Sequence, residues 1–287
     1  MSYDHPALVT TGWLAANLAR PGVKVVDASW YLPTTGRDAA AEFEQGHVPG
    51  AVFYDLDASS DRESPLPHML PPRDQYAERM AGLGLNDEDA IVVYDGSGVN
   101  LSAPRVWWTF RVFGHERVSV LDGGLVKWKA EGRPLEAGCP APPRPGRFTA
   151  QLDPRAVRTL ADIAADLGSR REQVVDTRPA GRFDGSEPEF RAGVRSGHIP
   201  GSRNVPFTEL TAPDGTVLPA DTLRARLEAA GVRLDRPVVA CCGSGTSACS
   251  AVLALHLLGH RDVAVYDGSW TEWGGRTDTP VETGAAR

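Results

Sequence analysis

Short, continuous apolar runs rich in β-branched residues punctuate the chain, and between them lie longer stretches in which apolar positions recur at helical spacing. In the C-terminal half, Val174-Val175, Val238-Val239-Ala240 and Val263-Ala264-Val265 read as strands of the type buried on both faces of a parallel sheet. Between the last two, Ala248, Val252, Leu255 and Leu258 keep a helical period and stop at Gly259, a fitting C-terminal cap. The N-terminal half has a counterpart in Ala103, Trp107, Phe110 and Phe113, which stop at Gly114. Strand, loop, helix and strand in both halves predict an α/β protein with two domains, each a central, mainly parallel sheet flanked by helices.

The two halves also match in detail. Val25-Val26-Asp27 returns as Val174-Val175-Asp176, and His47-Val48-Pro49-Gly50 as His198-Ile199-Pro200-Gly201. Tyr94-Asp95-Gly96-Ser97-Gly98 returns as Cys241-Cys242-Gly243-Ser244-Gly245, Gly114-His115 as Gly259-His260, and Leu121-Asp122-Gly123 with Trp128 as Tyr266-Asp267-Gly268 with Trp273. The order is preserved and the offset drifts only between 145 and 151 residues. A period this long means two homologous domains rather than a solenoid, because each unit can bury a core of its own. The expected division is 1–137, a stiff and extended linker over 138–153 with prolines at 140, 142, 143 and 145, and 154–287.

The loop Cys241-Cys242-Gly243-Ser244-Gly245-Thr246-Ser247 joins the second predicted strand of the C-terminal half to its helix. Ligands of open α/β sheets sit at the carboxyl ends of strands. Glycines there let successive N–H groups turn toward one atom, and the following helix N-terminus adds partial positive charge. Both effects favour a thiolate, the nucleophilic form of cysteine. A free cysteine can equally be a small buried apolar residue, a reading that suits Cys241, at the strand end, and Cys249, inside the helix. Cysteine phosphatases use a similar loop but need an arginine six residues after the cysteine to clamp phosphate. Ala248 occupies that position, which argues against phosphate-ester chemistry.

Composition narrows the choice further. The 287 residues are 41% hydrophobic and 23% charged, as in soluble globular chains, which excludes gross disorder. The net charge of −7 disfavours nucleic acid, so an anionic substrate has to be attracted by a few placed groups. Four cysteines, two of them adjacent, form neither a secreted disulfide framework nor the paired CxxC spacing of a zinc site, so no metal and no cofactor are expected. No apolar run approaches a membrane span, and Asp4 with no basic segment before an apolar core gives no signal peptide; the expected location is the cytoplasm.

A wider set of residues carries a family resemblance. It comprises Asp27-Ala28-Ser29-Trp30-Tyr31-Leu32-Pro33, Glu42-Phe43, the two HxPG segments, Asp61, Pro67-His68-Met69-Leu70-Pro71 and Arg105-Val106-Trp107-Trp108. Arg182-Phe183 with Gly185, and Tyr266-Asp267-Gly268-Ser269-Trp270-Thr271-Glu272-Trp273-Gly274, complete it. Together, over nearly the whole chain, these resemble the tandem-domain rhodanese family, and within it the 3-mercaptopyruvate branch of the sulfurtransferases. The resemblance implies two homologous rhodanese-like domains, of which only the second is catalytic. Asp95 stands at the position of Cys242, where its carboxylate either repels an anion or caps a helix.

The resemblance further implies that Cys242 takes sulfur from a small-molecule donor as a persulfide. An acceptor then removes it: a thiol, such as thioredoxin or a low-molecular-weight thiol, or cyanide. The loop Cys242-Gly243-Ser244-Gly245-Thr246-Ser247-Ala248 is similar to the CGSGVTA of mercaptopyruvate enzymes, with Thr246-Ser247 in place of Val-Thr, rather than to the CRxGxT of thiosulfate enzymes. Amides of Gly243, Gly245, Thr246 and Ser247 would hold the persulfide, and the Ser247 hydroxyl could cap the helix. The family's proton relay maps to Ser244, His68 and Asp57; the plainer reading makes His68 an interface histidine and Asp57 a turn residue. Its carboxylate-binding arginine maps to Arg191, in a segment where Phe190 replaces a proline. Arg195 is the second candidate or else a solvated surface arginine. Asp176 and Arg178 are expected to tie a loop to the sheet. Thiosulfate as donor, and a non-enzymatic persulfide carrier or scaffold, are the competing readings.

Overall fold

A computed structural model of the protein describes residues 6–140 and 143–285. Residues 141 and 142 of the proline-rich segment lie outside the described residues, as does Asp4. The described chain divides into two compact units, one within Met1–Arg62, Pro71–Asp153 and Thr211–Val217, the other within Glu63–Leu70, Pro154–Leu210 and Leu218–Arg287.

In the first unit the elements run β1 (Leu8–Val9), α1 (Thr11–Asn17), β2 (Val23–Asp27), α2 (Ala39–Gln45), β3 (Ala51–Phe53), α3 (Arg73–Gly82), β4 (Ala90–Tyr94), α4 (Ala103–Val112), β5 (Val118–Leu121) and α5 (Gly124–Ala130). The second repeats them as β6 (Val157–Arg158), α6 (Leu160–Asp166), β7 (Gln173–Asp176), α7 (Ala180–Asp184), β8 (Arg203–Asn204), α8 (Ala220–Ala229), β9 (Val238–Cys241), α9 (Ala248–Leu257), β10 (Val263–Tyr266) and α10 (Ser269–Gly275). The sheets have the same order, β1-β5-β4-β2-β3 and β6-β10-β9-β7-β8, and every pairing between these strands is parallel. All residues of β4 and β9 are buried, as expected of central strands covered on both faces.

Residues repeated in sequence repeat their work. His47 stacks on Phe43 with ring centroids 3.9 Å apart and its Nδ1 lies 2.7 Å from Phe43 O; His198 stacks on Phe183 at 3.8 Å with Nδ1 2.9 Å from Phe183 O. Each histidine also pairs as an isolated antiparallel bridge with a later segment, at Glu136 and Glu282. The indole N–H groups of Trp128 and Trp273 both donate at 2.8 Å to the carbonyls of later prolines, Pro134 and Pro280. The HxPG segments are thus tie points for the chain that follows each core.

The helices end where the glycines require: Gly114 and Gly259 have φ of 88° and 83°, just beyond the caps of α4 and α9. Helix α9 is more deeply placed than an apolar stripe implies, since Ala248 through Leu255 are all buried.

Two segments leave the half of the chain they come from. Residues 63–70 belong to the second unit, where Leu70 N donates to Asp267 Oδ2 at 2.8 Å. Residues 211–217 belong to the first, where Gly215 O accepts from Asn100 Nδ2 at 2.9 Å, Asp122 Oδ1 accepts from Val217 N at 2.8 Å and Asp214 pairs with Lys127 at 3.1 Å. The described part of 138–153 is extended but is no free spacer. Gly146 N donates to Ala81 O at 2.7 Å, Thr149 N to Asp87 Oδ1 at 2.6 Å and Asp153 N to Val112 O at 2.8 Å, while buried Phe148 packs edge-on to Tyr76 and Phe110. Its backbone polar groups find partners on the first unit, which anchors it there. Among the described residues no helix is long and apolar enough to cross a membrane.

Candidate active site

The loop after β9 is the candidate site. Cys241 closes the strand, in register with Asp176, and its carbonyl accepts from Thr177 N at 2.9 Å. Its side chain is fully buried, and burial, helped by the negative charge of Asp176, pushes the thiol well above its usual pKa. Cys241 therefore stays a neutral thiol.

Cys242 begins the loop and is 2% exposed. Its N–H donates to Ser269 Oγ at 3.2 Å and its carbonyl accepts from Trp270 N at 2.9 Å. The next carbonyl, of Gly243, takes Thr271 N at 2.9 Å and Thr271 Oγ1 at 2.6 Å. The first turn of α10 thus fixes the acceptors of the loop. The backbone N–H groups of Gly243, Ser244, Thr246 and Ser247 donate to no protein acceptor among the described residues. Gly245, with φ of 75°, supplies the left-handed turn, and the loop ends at the N-terminus of the buried helix α9. Such a cluster of amides at a helix N-terminus suits an anion.

Ser244 and His68 come together within the second unit, Nδ1 of His68 lying 2.8 Å from Ser244 Oγ and 3.0 Å from Thr246 Oγ1. All three residues are buried. His68 holds a positive φ of 61°, uncommon for a non-glycine residue and typical of functional positions held by their surroundings. Asp57 belongs to the first unit, where its exposed carboxylate accepts from Trp30 Nε1 at 3.1 Å. Ser247 differs from expectation. The N-terminus of α9 has no side-chain cap, and the Ser247 hydroxyl instead lies 3.2 Å from Thr177 Oγ1, because Ser247 itself has helical dihedrals, which turn its side chain away from the free amides.

Two guanidiniums flank Gly243. A Cβ on that glycine would lie 3.3 Å from Arg191 Nη1 and 3.5 Å from Arg182 Nη2. Arg191 is drawn down in pKa, chiefly by burial and partly by Arg182, while the negative charge of Cys242 acts in the opposite sense. Arg191 and the Cys242 sulfur therefore lie within electrostatic range. Arg195 does not converge on the loop: its guanidinium donates to Gly274 O at 3.1 Å, Trp273 O at 3.2 Å and Thr279 Oγ1 at 2.6 Å, fastening the end of α10.

Behind these arginines stands Arg178, 1% exposed. It binds Asp176 through Nε and Nη2, with the Nη2–Oδ2 distance 2.6 Å, Glu189 Oε1 at 2.7 Å and Gly197 O at 2.8 Å, and lies 4.5 Å from the Trp270 ring centroid. Burial opposes its charge, but Asp176 and Glu189 outweigh burial and hold its pKa above the ordinary value. Glu189 also pairs with Arg182, so one carboxylate ties Arg182 to Arg178 and the sheet.

Sequence reasoning missed Arg182. Its signal was the stacked Phe–His pair, which aligns Arg182-Phe183 with Glu42-Phe43 and so shows a reversal of charge. The same pair marks an insertion: His47 follows Phe43 by four positions, but His198 follows Phe183 by fifteen, and Glu189, Phe190 and Arg191 lie in the excess.

The first unit's equivalent loop is closed by its own side chains. Asp95 accepts from Ser97 N, Ser97 Oγ, Ser102 N and Ala103 N at 2.9, 2.5, 3.0 and 2.8 Å, so it caps α4 with an internal anion. Tyr31 crowds Gly96, where a Cβ would meet its hydroxyl at 2.5 Å, and Glu42 holds Arg37 and the Tyr31 hydroxyl. Asp95→Ala should cost the first unit about 2 kcal/mol, read by chemical denaturation, by orphaning buried donors. Asp95→Cys should create no reactive cysteine at this loop; a thiol label on residue 95 by peptide mapping would contradict this.

A rhodanese-like domain model matches residues 10–131 and again 159–276. The chain belongs to the rhodanese family. It is 48% identical to the 3-mercaptopyruvate sulfurtransferase of Homo sapiens over 93% of this chain and 91% of that one. It is 43% identical to the enzyme of the same name from Escherichia coli K12, over 96% and 97%. Thiosulfate sulfurtransferase from Bos taurus is 45% identical over 97% and 95%. The crystal structure of SseA, a 3-mercaptopyruvate sulfotransferase from Escherichia coli, superposes with a TM-score of 0.84 at 41% identity, covering 92% of this chain and 98% of that chain. The protein is accordingly an enzyme, a sulfurtransferase built from two rhodanese domains.

Proposed function

We propose that this sulfurtransferase uses 3-mercaptopyruvate as donor and carries the sulfur on Cys242. The observation behind the reading is the pair Arg182 and Arg191 beside Gly243, which offers planar donors for a keto-acid carboxylate next to the thiol. A basic side chain at position 243, as in a CRxGxT loop, would press on both guanidiniums.

In the first step the Cys242 thiolate attacks the donor sulfur and an S–S bond forms as the C–S bond breaks. The electron pair of that bond leaves on carbon as the enolate of pyruvate. The donor's thiol proton ends on that carbon, so pyruvate departs and a persulfide anion remains on Cys242. Ser244, hydrogen-bonded to His68, supports the proton movement, since a hydroxyl can give one proton as it receives another. The loop amides stabilise the persulfide charge. In the second step an acceptor nucleophile attacks the outer sulfur and restores the thiolate. Cyanide gives thiocyanate, and a small thiol or a thioredoxin-like dithiol gives its own persulfide.

Sulfur transfer to cyanide, compared as kcat/KM for 3-mercaptopyruvate and thiosulfate, tests the donor. A strong preference for mercaptopyruvate supports the reading, and a preference for thiosulfate overturns it. Thiosulfate is the second donor to consider because the bovine relative carries that name, and a 42%-identical relative from Arabidopsis thaliana carries both. Ser244→Ala separates the two chemistries. It should lower kcat with mercaptopyruvate by about a hundredfold and spare thiosulfate, whose leaving sulfite needs no proton. Equal losses with both donors would remove Ser244 from proton transfer.

A further inference from the structure

Phe190 is a large apolar residue left 40% exposed, in the insertion that distinguishes the second unit. Its ring is not idle. The guanidinium carbon of Arg182 lies 4.6 Å from its centroid and that of Arg191 4.5 Å. These are the same two cations that flank Gly243.

Two guanidiniums so placed repel each other, and Arg182 lowers the pKa of Arg191. Glu189 neutralises Arg182, but among the described residues no carboxylate forms an ion pair with Arg191. A carboxylate on Arg191 would fill its planar fork and repel an anionic donor. An aromatic face attracts the cation through its quadrupole and leaves the in-plane N–H groups open.

We propose that Phe190 is a positioning residue that sets the selectivity of the Cys242 site for anionic reagents, by holding Arg182 and Arg191 beside Gly243 while the donors of Arg191 stay unspent. Only the kinetic arm of the test rests on the donor reading above.

The experiment compares alkylation of Cys242 by iodoacetate and iodoacetamide, followed by peptide mapping in wild type, Phe190→Leu and Phe190→Tyr. Leucine keeps the bulk without the π face, and tyrosine keeps the face. Exposed Cys139 serves as an internal control for the reagents. In Phe190→Leu the iodoacetate rate at Cys242 should fall about three- to fivefold, the span of a partly exposed cation–π contact. The iodoacetamide rate and both rates at Cys139 should hold, and Phe190→Tyr should restore the wild-type ratio. KM for 3-mercaptopyruvate should rise by a similar factor, with the loss falling on KM rather than kcat. An equal fall for both reagents, or an unaltered ratio, overturns the proposal. A lowered ratio in an enzyme that turns over thiosulfate but not mercaptopyruvate upholds Phe190 and rejects the donor.

Discussion

Cys242→Ser should abolish sulfur transfer from every donor, whereas Cys241→Ser should keep most of it. A serine hydroxyl is not ionised near neutrality and cannot store sulfur as a persulfide, so activity should fall below about one thousandth of wild type. The neighbouring thiol cannot substitute. Cys241 is wholly buried at the end of β9, its pKa is raised well above the usual value by burial and by Asp176, and its carbonyl is engaged by Thr177. Its replacement adds one buried hydroxyl, which costs stability of about 1–2 kcal/mol and leaves the loop amides where they are. Thiocyanate formation measures the transfer, and intact mass after donor treatment shows whether the persulfide forms. Equal losses in the two variants would mean that the nucleophile has been assigned to the wrong cysteine.

Arg178→Met should be the most damaging change to the second unit that leaves the loop sequence intact. The guanidinium sits between two carboxylates, Asp176 at 2.6 Å and Glu189 at 2.7 Å, and all three side chains are at most 2% exposed. Its removal strands buried Asp176 and leaves Glu189 with Arg182 alone, and breaking a buried pair by deleting one partner costs about 3–5 kcal/mol. Lysine should rescue little, because a single ammonium cannot reproduce a fork that binds Asp176, Glu189 and Gly197 together. Hydrogen exchange at the backbone amides of β7 and β9, followed against urea, reports on this unit. A cost under about 1 kcal/mol, the range of an exposed pair, would show that the hub is not structural. The same substitution frees Glu189, so the tether of Arg182 loosens and KM for an anionic donor should rise even in the folded fraction.

The sheets were legible because parallel strands buried on both faces need continuous β-branched runs. Val174-Val175, Val238 to Ala240 and Val263 to Val265 lie within β7, β9 and β10. The candidate loop stood out too, since a cysteine followed by glycines between strand and helix has few structural uses. What stayed hidden is whatever depends on partners distant in sequence. Periodicity does not say which half residues 63–70 or 211–217 pack with, nor that the proline-rich stretch is bonded along the first unit. Arg182 was hidden as an ordinary charged helix residue. It emerges only when Phe183 and His198 are seen stacked as Phe43 and His47 are. Arg195 and Ser247 mislead in the opposite way, because a guanidinium near the site and a hydroxyl at a helix start suggest work that their hydrogen bonds spend elsewhere.

The reciprocal placement of 63–70 and 211–217 bears on how the chain is made. A protein emerges from the ribosome from its N-terminus, and domains ordinarily fold as they appear. Here the first unit must wait for a segment synthesised well into the second half, and until then Asn100, Asp122 and Lys127 lack the partners on that segment. The second unit, conversely, is completed by residues that left the ribosome long before its own first strand. The first unit is complete only once residue 217 has emerged and the second only with its last strand, so exposure to misfolding extends well into the synthesis of the second half.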